Sequence, residues 1–500
     1  MKLKPIMFVG TCSDAGKSIL NTAFCRIFKQ DGYQPAPFKA QNMSLNSYST
    51  LDGGEIGRAQ AVQAEACGIA PHTDMNPVLL KPSSDQTSQV VLNGQAVGNM
   101  SAREYFRLGN KQQLWEEAVK AFRRLEKQYD LIVLEGAGSI SELNLRDRDI
   151  TNMRMAREVG AATYLVADID RGGVFASVYG SVMLLPEEER CLLKGIIINK
   201  FRGDVSLFDE GRQLILELTG IPVVGVIPYF RDIHIEEEDS VALELKSSCA
   251  VAGKINVAVV LLRRISNFTD FNALDRDERF HLYFTDRTEE IGKADIVILP
   301  GTKNTIADLQ VIWSNGIAEA VKTAYKKGKK IIGICGGYQM MGIRVDDPGH
   351  VEGATETIAG LGLLPLVSVM QPEKTVCQSY FRFRDYSEEC RGYQIHMGQT
   401  VLENQAKEPI PGDLDFDFPG ALNTLPDGTT EGYYLDERCW GSYMHGILDN
   451  AVVMDELAKG YLVEKKSDFN YRVFKEQQYD LLAAHVRQAV DMEYIYSTIQ

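Results

Sequence analysis

A cysteine flanked by glycines is the residue of this sequence best suited to nucleophilic chemistry. Cys335 follows the short apolar run 330–334 and precedes Gly336, Gly337 and a helical pattern. A strand that turns sharply into a helix lifts such a side chain out of the sheet, and the helix N-terminus favours a thiolate. Glycine also lets a substrate carbonyl approach the backbone, so the Gly336 N–H can bind an oxyanion. The alternative is a core cysteine, because cysteine is among the most often buried residues.

A thiol nucleophile needs a base, and two histidines compete for that role. His445 stands where the apolar run 440–444 ends at Gly446. The 110 residues that separate it from Cys335 are no obstacle, because catalytic partners meet only in the folded protein. His396 is the alternative, but a lone histidine on an apolar strand more often has a structural role. We predict that His445 is the base of a peptidase, an acyltransferase or an amidase.

A glycine-rich loop near the N-terminus has the residues of a phosphate-binding loop. It follows an apolar strand and opens a helical pattern, as a Walker A loop does. Five residues separate its two glycines where the common loop has four. Backbone N–H groups and the lysine suit phosphate, and the hydroxyl of the final serine suits Mg²⁺. The alternative is a glycine-rich turn with an incidental lysine. The predicted nucleotide-binding residues of the loop are Gly10, Thr11, Asp14, Gly16, Lys17 and Ser18.

Two further residues fit nucleotide chemistry in the same part of the chain. Lys39 follows a predicted second strand and can add positive charge where a phosphoryl group is transferred. Glu135 ends the apolar strand 131–134, the position expected for a Mg²⁺ ligand beside a phosphate loop. Taken singly, they could be a surface lysine and an ordinary turn glutamate. With Lys17 they predict a nucleotide site.

Composition limits the classes of function. With 500 residues and 45% hydrophobic residues, the chain can form two to four domains with sizeable cores. A net charge of −15 disfavours a general nucleic-acid surface. We see no apolar run that could span a membrane and no signal peptide. Nine cysteines without paired spacing indicate a reducing cytoplasm.

The elements that must position these residues alternate between apolar strands and helical segments. We therefore predict an α/β fold with a parallel sheet in each half. An acidic, irregular stretch separates the halves, and an amphipathic stripe near the C-terminus predicts a packing surface formed by Tyr479, Leu481, Leu482, His485, Val486 and Val490. The predicted divisions are 1–235 for an ATP-binding domain, 236–254 for a linker, 255–450 for the domain that contains Cys335, and 451–500 for a helical extension.

The N-terminal motifs resemble the dethiobiotin-synthetase-like ATPase fold. The resemblance rests on the phosphate loop, the segment 37–47 that includes Lys39, and the Glu-Gly-Ala-Gly-Ser segment from Glu135. In that fold, an acidic residue after the second strand region is a second metal ligand, which implies Asp52 or Glu55 here. Asn199 matches the position that binds the adenine edge, although a strand-end cap would explain it equally simply.

The C-terminal motifs resemble class I glutamine amidotransferases, in the branch that holds cobyric acid and cobyrinic acid diamide synthases. The segments 299–305 and 333–339 and the region around His445 carry this resemblance, and 262–274 adds to it. Typical members place a glutamate two residues after the histidine, where this chain has Ile447. The third triad member is therefore absent or supplied elsewhere. We expect Gly301 and Gly336 to provide the oxyanion N–H groups.

Taken over the whole chain, the sequence resembles the cobyric acid synthase family of cobalamin biosynthesis. The resemblance implies ATP- and glutamine-dependent amidation of the b, d, e and g carboxylates of adenosylcobyrinic acid a,c-diamide, with Mg²⁺ at the nucleotide site. Such a polyanionic corrinoid needs cations, and Arg171 is one candidate, with a solvated arginine equally possible. Neither a nucleic acid nor a membrane is an expected partner, and the sequence carries no indication of oligomeric state.

Three other functions are alternatives to this interpretation of the sequence. The acceptor could be the a and c carboxylates of cobyrinic acid or a cell-wall precursor; the segment around Lys39 argues against both. A partition-type ATPase switch with a non-catalytic appended domain usually has an extra lysine inside the phosphate loop, and none lies between Gly10 and Gly16. A thiol hydrolase acting alone would leave the phosphate loop unexplained.

Overall fold

The first half of the chain folds around a parallel sheet. The computed structural model describes residues 2–83, 87–105, 108–238, 246–403, 420–461 and 469–500. The strands of the first half are β1 (Ile6–Gly10), β2 (Pro35–Phe38), β3 (Gln41–Met43), β4 (Ser47–Ser49), β5 (Glu55–Gly57), β6 (Val78–Pro82), β7 (Thr87–Leu92), β8 (Gln95–Ser101), β9 (Leu131–Glu135), β10 (Ala162–Asp168), β11 (Leu193–Phe201) and β12 (Val223–Pro228). Its helices are α1 (Lys17–Gln30), α2 (Arg58–Cys67), α3 (Ala102–Tyr105), α4 (Leu108–Gln128), α5 (Met153–Val159), α6 (Val174–Met183), α7 (Glu187–Arg190) and α8 (Asp209–Thr219).

Six of these strands form the main sheet in the order β12-β11-β10-β1-β9-β2, with every neighbour parallel. Strand β1 is buried on both faces, since Met7 and Val9 enter one hydrophobic core while Ile6 and Phe8 enter the other. Such burial explains the continuous apolar runs that predicted these strands. Two smaller sheets, β3-β6-β7-β8 and β4-β5, are formed by strands that lie between β2 and β9 along the chain.

The second half folds around a larger mixed sheet. Its strands are β13 (Ile255–Val260), β14 (Phe280–Thr285), β15 (Ile296–Leu299), β16 (Lys330–Ile334), β17 (Arg344–Asp346), β18 (Thr357–Ala359), β19 (Leu366–Phe383), β20 (Glu389–Leu402), β21 (Ala421–Thr424), β22 (Thr430–Asp436) and β23 (Cys439–Ser442). Its helices, with those that end the chain, are α9 (Asn272–Arg276), α10 (Thr288–Lys293), α11 (Thr305–Ser314), α12 (Ile317–Lys326), α13 (Gly336–Met341), α14 (Ala451–Ala458), α15 (Tyr471–Ala489) and α16 (Met492–Ile499). Strands β14-β13-β15-β16-β23 are parallel, and most of the remaining pairings are antiparallel.

The last helices divide between the two halves. Helix α14 packs on the core of the second half through Val453, Met454 and Leu457. Helices α15 and α16 return to the first half, where α15 packs against α1. The predicted packing stripe is confirmed for Tyr479, Leu482, Val486 and Val490, which are buried, and is wrong for Leu481, which is 50% exposed. His485 instead bonds the Pro228 carbonyl at 2.8 Å.

The predicted α/β architecture of both halves is confirmed. Carboxyl ends of parallel strands meet at one edge of a sheet, which is where open α/β folds place their ligands. Gly10 and Glu135 end adjacent strands of the first sheet, and Cys335 directly follows β16 of the second. Among the described residues, no helix is both long and apolar enough to cross a membrane.

A buried ion cluster joins the two halves. Glu55 is fully buried and accepts hydrogen bonds from Lys81 of the first half, at 2.6 Å, and from Lys374 of the second. Burial lowers the pKa of Lys374 to about 7 in spite of Glu55. One carboxylate therefore compensates two enclosed ammonium groups, and the pairing depends on the halves being together.

We expect Glu55→Ala to lower the free energy of unfolding by about 3–5 kcal/mol at pH 7, because buried charges lose their partner. The loss should be largest at acidic pH and shrink as the pH rises towards 7. Without Glu55 the pKa of Lys374 in the folded state falls further, so the folded variant has already lost that proton at a pH where wild-type Lys374 still holds it, and stability rises with pH earlier in the variant than in wild type. Urea unfolding of both proteins at pH 5 and 7 measures this. Glu188→Ala, which removes an exposed ion pair with Arg157, is the control, and an equally small effect of Glu55→Ala would contradict the assignment.

Candidate active sites

Three neighbouring strands of the second sheet bring the predicted thiol chemistry together. Strands β15, β16 and β23 are adjacent and parallel, and they lead into Gly301, Cys335 and His445 respectively. The Cys335 N–H donates to Ser442 O at 2.8 Å, which fixes the turn after β16 to the end of β23. Residues distant in sequence thus meet because their strands end side by side.

The backbone at Cys335 has the strained geometry of a nucleophile turn. Its φ of +53° lies in a region that non-glycine residues rarely adopt. The glycines that follow are required by close packing: a Cβ on Gly337 would stand 1.9 Å from Leu299 O, and one on Gly336 would stand 2.7 Å from the Thr302 side chain. A Cβ on Gly301 would lie 3.1 Å from the His445 ring. The two predicted oxyanion glycines therefore flank the Cys335 and His445 pair.

His445 lies between Cys335 and a carboxylate. Its Nδ1 is 2.7 Å from Asp270 Oδ2, and its ring interacts electrostatically with the side chain of Cys335, whose Sγ donates to Ile395 O at 3.5 Å. The second oxygen, Asp270 Oδ1, accepts the Gly446 N–H at 2.9 Å. Burial alone would lower the pKa of His445, but Asp270 and Cys335 outweigh it and raise the pKa to about 10. The imidazole is therefore protonated at neutral pH and can stabilise a thiolate.

Asp270 is the site residue that sequence reasoning missed. It belongs to the segment 262–274, which carries part of the family resemblance. The expected glutamate position, Ile447, is instead a fully buried core residue. Asp270 follows β13, which neighbours β15 in the same parallel sheet. The signal that could have found it is a carboxylate shortly after a parallel strand at the edge that holds Cys335.

His396 has the structural surroundings predicted for the weaker candidate. Its Nδ1 is 2.8 Å from Gly398 O, and its ring stacks on Tyr443 with 3.7 Å between centroids. Burial lowers its pKa to about 4. A neutral ring committed to its own strand is a poorer partner for the thiol than His445.

The phosphate loop places Lys17 over its own backbone. Gly16 adopts φ +97°, and α1 begins at Lys17. The Lys17 ammonium donates to Cys12 O, Ser13 O and Gly138 O at 2.8 to 2.9 Å. Burial, with repulsion from Lys39, lowers its pKa to about 8. The loop therefore concentrates positive charge at the end of β1.

Glu135 is the centre of the predicted nucleotide cluster. Its carboxylate accepts from Ser18 Oγ at 2.8 Å, Lys39 Nζ at 2.7 Å and Gln63 Nε2 at 2.6 Å. Burial raises the pKa of Glu135, but Lys39 and the other hydrogen bonds lower it below its ordinary value. A charged carboxylate thus lies beside the serine of the phosphate loop, as the sequence predicted.

Other predicted residues surround the loop in different ways. Thr11 N–H donates to Val166 O at 3.0 Å, and Asn199 Nδ2 donates to Ala15 O at 2.9 Å. Asn199 thus supports the loop backbone. Asp14 and Arg171 form an exposed ion pair of 2.8 Å above the loop.

The alternative metal ligands do not join the Glu135 cluster. Glu55 lies between Lys81 and Lys374, so its charge is already neutralised and a metal cation would be repelled. Asp52 is on an exposed turn, where it accepts a hydrogen bond from Thr50. The structure therefore argues against the metal-ligand prediction for both residues.

We expect Asp270→Asn to slow alkylation of Cys335 by iodoacetamide at pH 7 by about tenfold or more, since each pKa unit of lost stabilisation corresponds to a factor of ten. Without the carboxylate charge the His445 pKa falls, so the imidazolium that stabilises the thiolate is lost at a lower pH. Mass spectrometry of the Cys335 peptide between pH 5 and 10 measures the rate. Asp346→Asn, in β17, is the control; an unchanged profile for Asp270→Asn would contradict the ion pair.

Comparison with known proteins assigns a family to each half of the chain. Residues 6–241 match the family described as the CobQ/CobB/MinD/ParA nucleotide binding domain. Residues 256–453 match the CobB/CobQ-like glutamine amidotransferase domain. Among solved structures, PurLQS from Thermotoga maritima aligns with 46% of this chain and 98% of its own, at 15% identity and a TM-score of 0.28, which is too low to support an inference.

Relatives match over the full length. The cobyric acid synthase of Parabacteroides distasonis is 65% identical over 502 residues, covering 100% of this chain and 99% of the relative. Those of Bacteroides fragilis and Phocaeicola vulgatus are 57% and 56% identical, each covering 99% of this chain and 98% of the relative. These matches exclude a partition-type switch with a non-catalytic domain. The chain belongs to the cobyric acid synthase family and is a glutamine-dependent amidoligase with a nucleotide-binding domain.

Proposed function

We propose that this enzyme amidates the b, d, e and g carboxylates of adenosylcobyrinic acid a,c-diamide in cobalamin biosynthesis, using ATP and glutamine. The observation that carries the proposal is that one chain holds two sites: Cys335 beside the hydrogen-bonded pair of His445 and Asp270, and a phosphate loop with Lys17 whose Ser18 hydroxyl donates to Glu135. A carboxylate is a poor acyl donor. ATP converts it to an acyl phosphate and ADP, and ammonia then displaces phosphate to form the amide.

The second half supplies the ammonia. The Cys335 thiolate attacks the side-chain amide of glutamine, and the N–H groups of Gly336 and Gly301 stabilise the oxyanion. His445 gives its proton to the departing ammonia, which leaves a glutamyl thioester. Water then attacks the thioester, with neutral His445 as the base, and releases glutamate. Asp270 holds the ring orientation throughout.

The first half activates the acceptor. Lys17 and Lys39 stabilise the charge that develops as the terminal phosphoryl group of ATP passes to the carboxylate. The Ser18 hydroxyl and the Glu135 carboxylate are hard oxygen donors 2.8 Å apart, a set that suits Mg²⁺ completed by phosphate and water oxygens. Within the described residues no larger cluster of metal-ligating side chains occurs. Bound Mg²⁺ would neutralise phosphate charge.

A cavity in the first half suits the nucleoside of ATP. Its volume is about 680 Å³, within the usual range for small-molecule sites, and it lies at the ends of β11 and β12. Phe201 and Tyr229 line it together with His485 from α15. Arg202 lies over the Tyr229 ring at 3.8 Å. Asn199, which bonds the loop, precedes this cavity by two residues and is our candidate for the adenine edge.

The acceptor is a polyanion, and Arg171 is our candidate for one of its cation contacts. Arg171 is 2.8 Å from Asp14 and is exposed at the phosphate loop, where a carboxylate must meet ATP. We also propose the divisions 1–235, 236–254 and 255–450, since the first sheet ends at Pro228 and the second begins at Ile255. Of the extension 451–500, only the part from α15 onwards belongs to the first half.

We expect Cys335→Ala to abolish glutamine-dependent amidation but to retain amidation with high free ammonia, because the ATP site is untouched. The assay combines the protein, ATP and adenosylcobyrinic acid a,c-diamide with either nitrogen source, and mass spectrometry identifies the product. Cys377→Ala, a half-buried cysteine of β19, is the control. Loss of both activities in Cys335→Ala would contradict two separate sites, and amidation of cobyrinic acid alone by wild-type protein would contradict the substrate.

We expect Lys17→Ala to remove both glutamine-dependent and ammonia-dependent amidation, because neither nitrogen source acts without the acyl phosphate. The loss should be about 10²-fold or greater, as for removal of other preorganised transition-state contacts. Formation of ADP and of amidated corrinoid measures it. Lys194→Ala, at a half-buried lysine of β11 away from the loop, is the control. A normal ammonia-dependent rate in Lys17→Ala would refute the phosphate-loop assignment.

A further inference from the structure

A segment of the first half is locked to the loop that carries Asp270. Asn267 Oδ1 accepts the Ser47 N–H at 2.8 Å, and Asn46 Oδ1 accepts the Phe268 N–H at 3.1 Å. Both asparagines are at most 3% exposed, so water does not compete for these bonds. Each half thus satisfies a buried backbone donor of the other, and separating them would leave both donors unpaired.

The loop that carries Asp270 is thereby held in place, and this constrains the position of the Asp270 carboxylate. Asn267 has φ +53° and begins the short helical turn in which the Asp270 N–H donates to Asn267 O at 3.0 Å. Asp270 then reaches His445 and the Gly446 N–H. Two hydrogen bonds between the halves therefore hold the loop of Asp270, the residue that orients the base.

A second contact reaches the His445 ring itself. The ring of Tyr48 lies 4.7 Å from that of Tyr393, which stacks on His445 at 5.3 Å and 25°. Tyr393 and His445 also exchange backbone hydrogen bonds of 3.0 and 2.8 Å. Arg58 lies over the Tyr48 ring at 4.9 Å and is held by Glu236. The tyrosine pair thus extends from the first half to the face of the catalytic imidazole.

The same segment begins at the nucleotide cluster. Lys39 pairs with Glu135, and its carbonyl accepts from Asn76 Nδ2 at 3.1 Å. Seven residues later, Asn46 Nδ2 donates to the Glu238 carbonyl at 2.6 Å. One continuous stretch of about ten residues therefore links the group that binds Glu135 to the groups that support the glutaminase.

We propose that Asn46 and Tyr48 are positioning residues of the glutaminase, supplied by the synthetase half. Asn46 fixes the loop of Asp270, and Tyr48 supports the Tyr393 ring against His445. The Cys335 thiol is then fully activated only when the two halves are docked, which confines ammonia release to molecules whose synthetase site is in place. This inference rests on the proposed glutaminase activity of Cys335.

The test compares full-length wild-type protein with Asn46→Ala and Tyr48→Leu. We expect kcat for glutamate formation to fall about 10- to 100-fold, the range expected for small misplacements of catalytic groups, with little change in KM for glutamine. Ammonia-dependent amidation should stay within about twofold of wild type, which also shows that the variants are folded. Cys335 alkylation should slow at neutral pH, as the Asp270 and His445 pair is loosened.

Two controls separate positioning from general loosening of the interface. Tyr48→Phe retains the ring and should behave as wild type. Gln378→Ala removes another bond between the halves, from Gln378 Nε2 to Ser49 O at 2.8 Å, which involves neither Asn46, Tyr48 nor a residue of the triad. We expect it to keep normal glutaminase turnover and alkylation.

Distinct outcomes overturn the inference and the function beneath it. Normal kcat and an unchanged alkylation profile in both Asn46→Ala and Tyr48→Leu would refute positioning. Equal losses of glutamine- and ammonia-dependent amidation, or an equal loss in Gln378→Ala, would show a merely structural role. Wild-type protein that forms no glutamate from glutamine with ATP and acceptor would refute the proposed glutaminase, and this inference with it.

Discussion

The contact between Asp270 and His445 is the interaction on which the second half depends. Both side chains are almost fully buried, and a buried charge is tolerated only when it is paired and hydrogen-bonded. Asp270 meets that condition with both oxygens, one on the ring and one on the Gly446 N–H. Because Nδ1 is committed to the carboxylate, Nε2 is left for the thiol, so a single pairing sets the orientation, the charge and the partner of the base.

The first half likewise contains a buried carboxylate that is paired with a cation. Glu135 is buried beneath the phosphate loop and keeps its charge because Lys39, Ser18 and Gln63 all donate to it. Lys17, in turn, is held by two backbone carbonyls of its own loop and by the Gly138 carbonyl after β9. Each half therefore presents a preorganised charge at the carboxyl end of a parallel sheet, one suited to phosphate and one to a thiolate.

The surface between the halves contains buried charges. Glu55 of the first half compensates Lys81 of the same half and Lys374 of the second there. Buried ion pairs contribute little net stability, but separating one leaves its partners uncompensated. Such an interface favours a single docked arrangement over sliding, as the proposed transfer of ammonia between the two sites requires.

How much the sequence determined can be seen residue by residue. Short-range patterns predicted the strands, the phosphate loop and the turn at Cys335, and they favoured His445 over His396, because strand ends and glycines are local features. Asp270, the pairing of Glu55 with two lysines and the return of α15 to the first half were decided only by the tertiary structure. Each depends on which strands and helices become neighbours, and Ile447 shows that a position expected from one family pattern can be core while a distant loop supplies the carboxylate. Local chemistry thus follows from residue order, whereas the partner of each buried charge follows from packing.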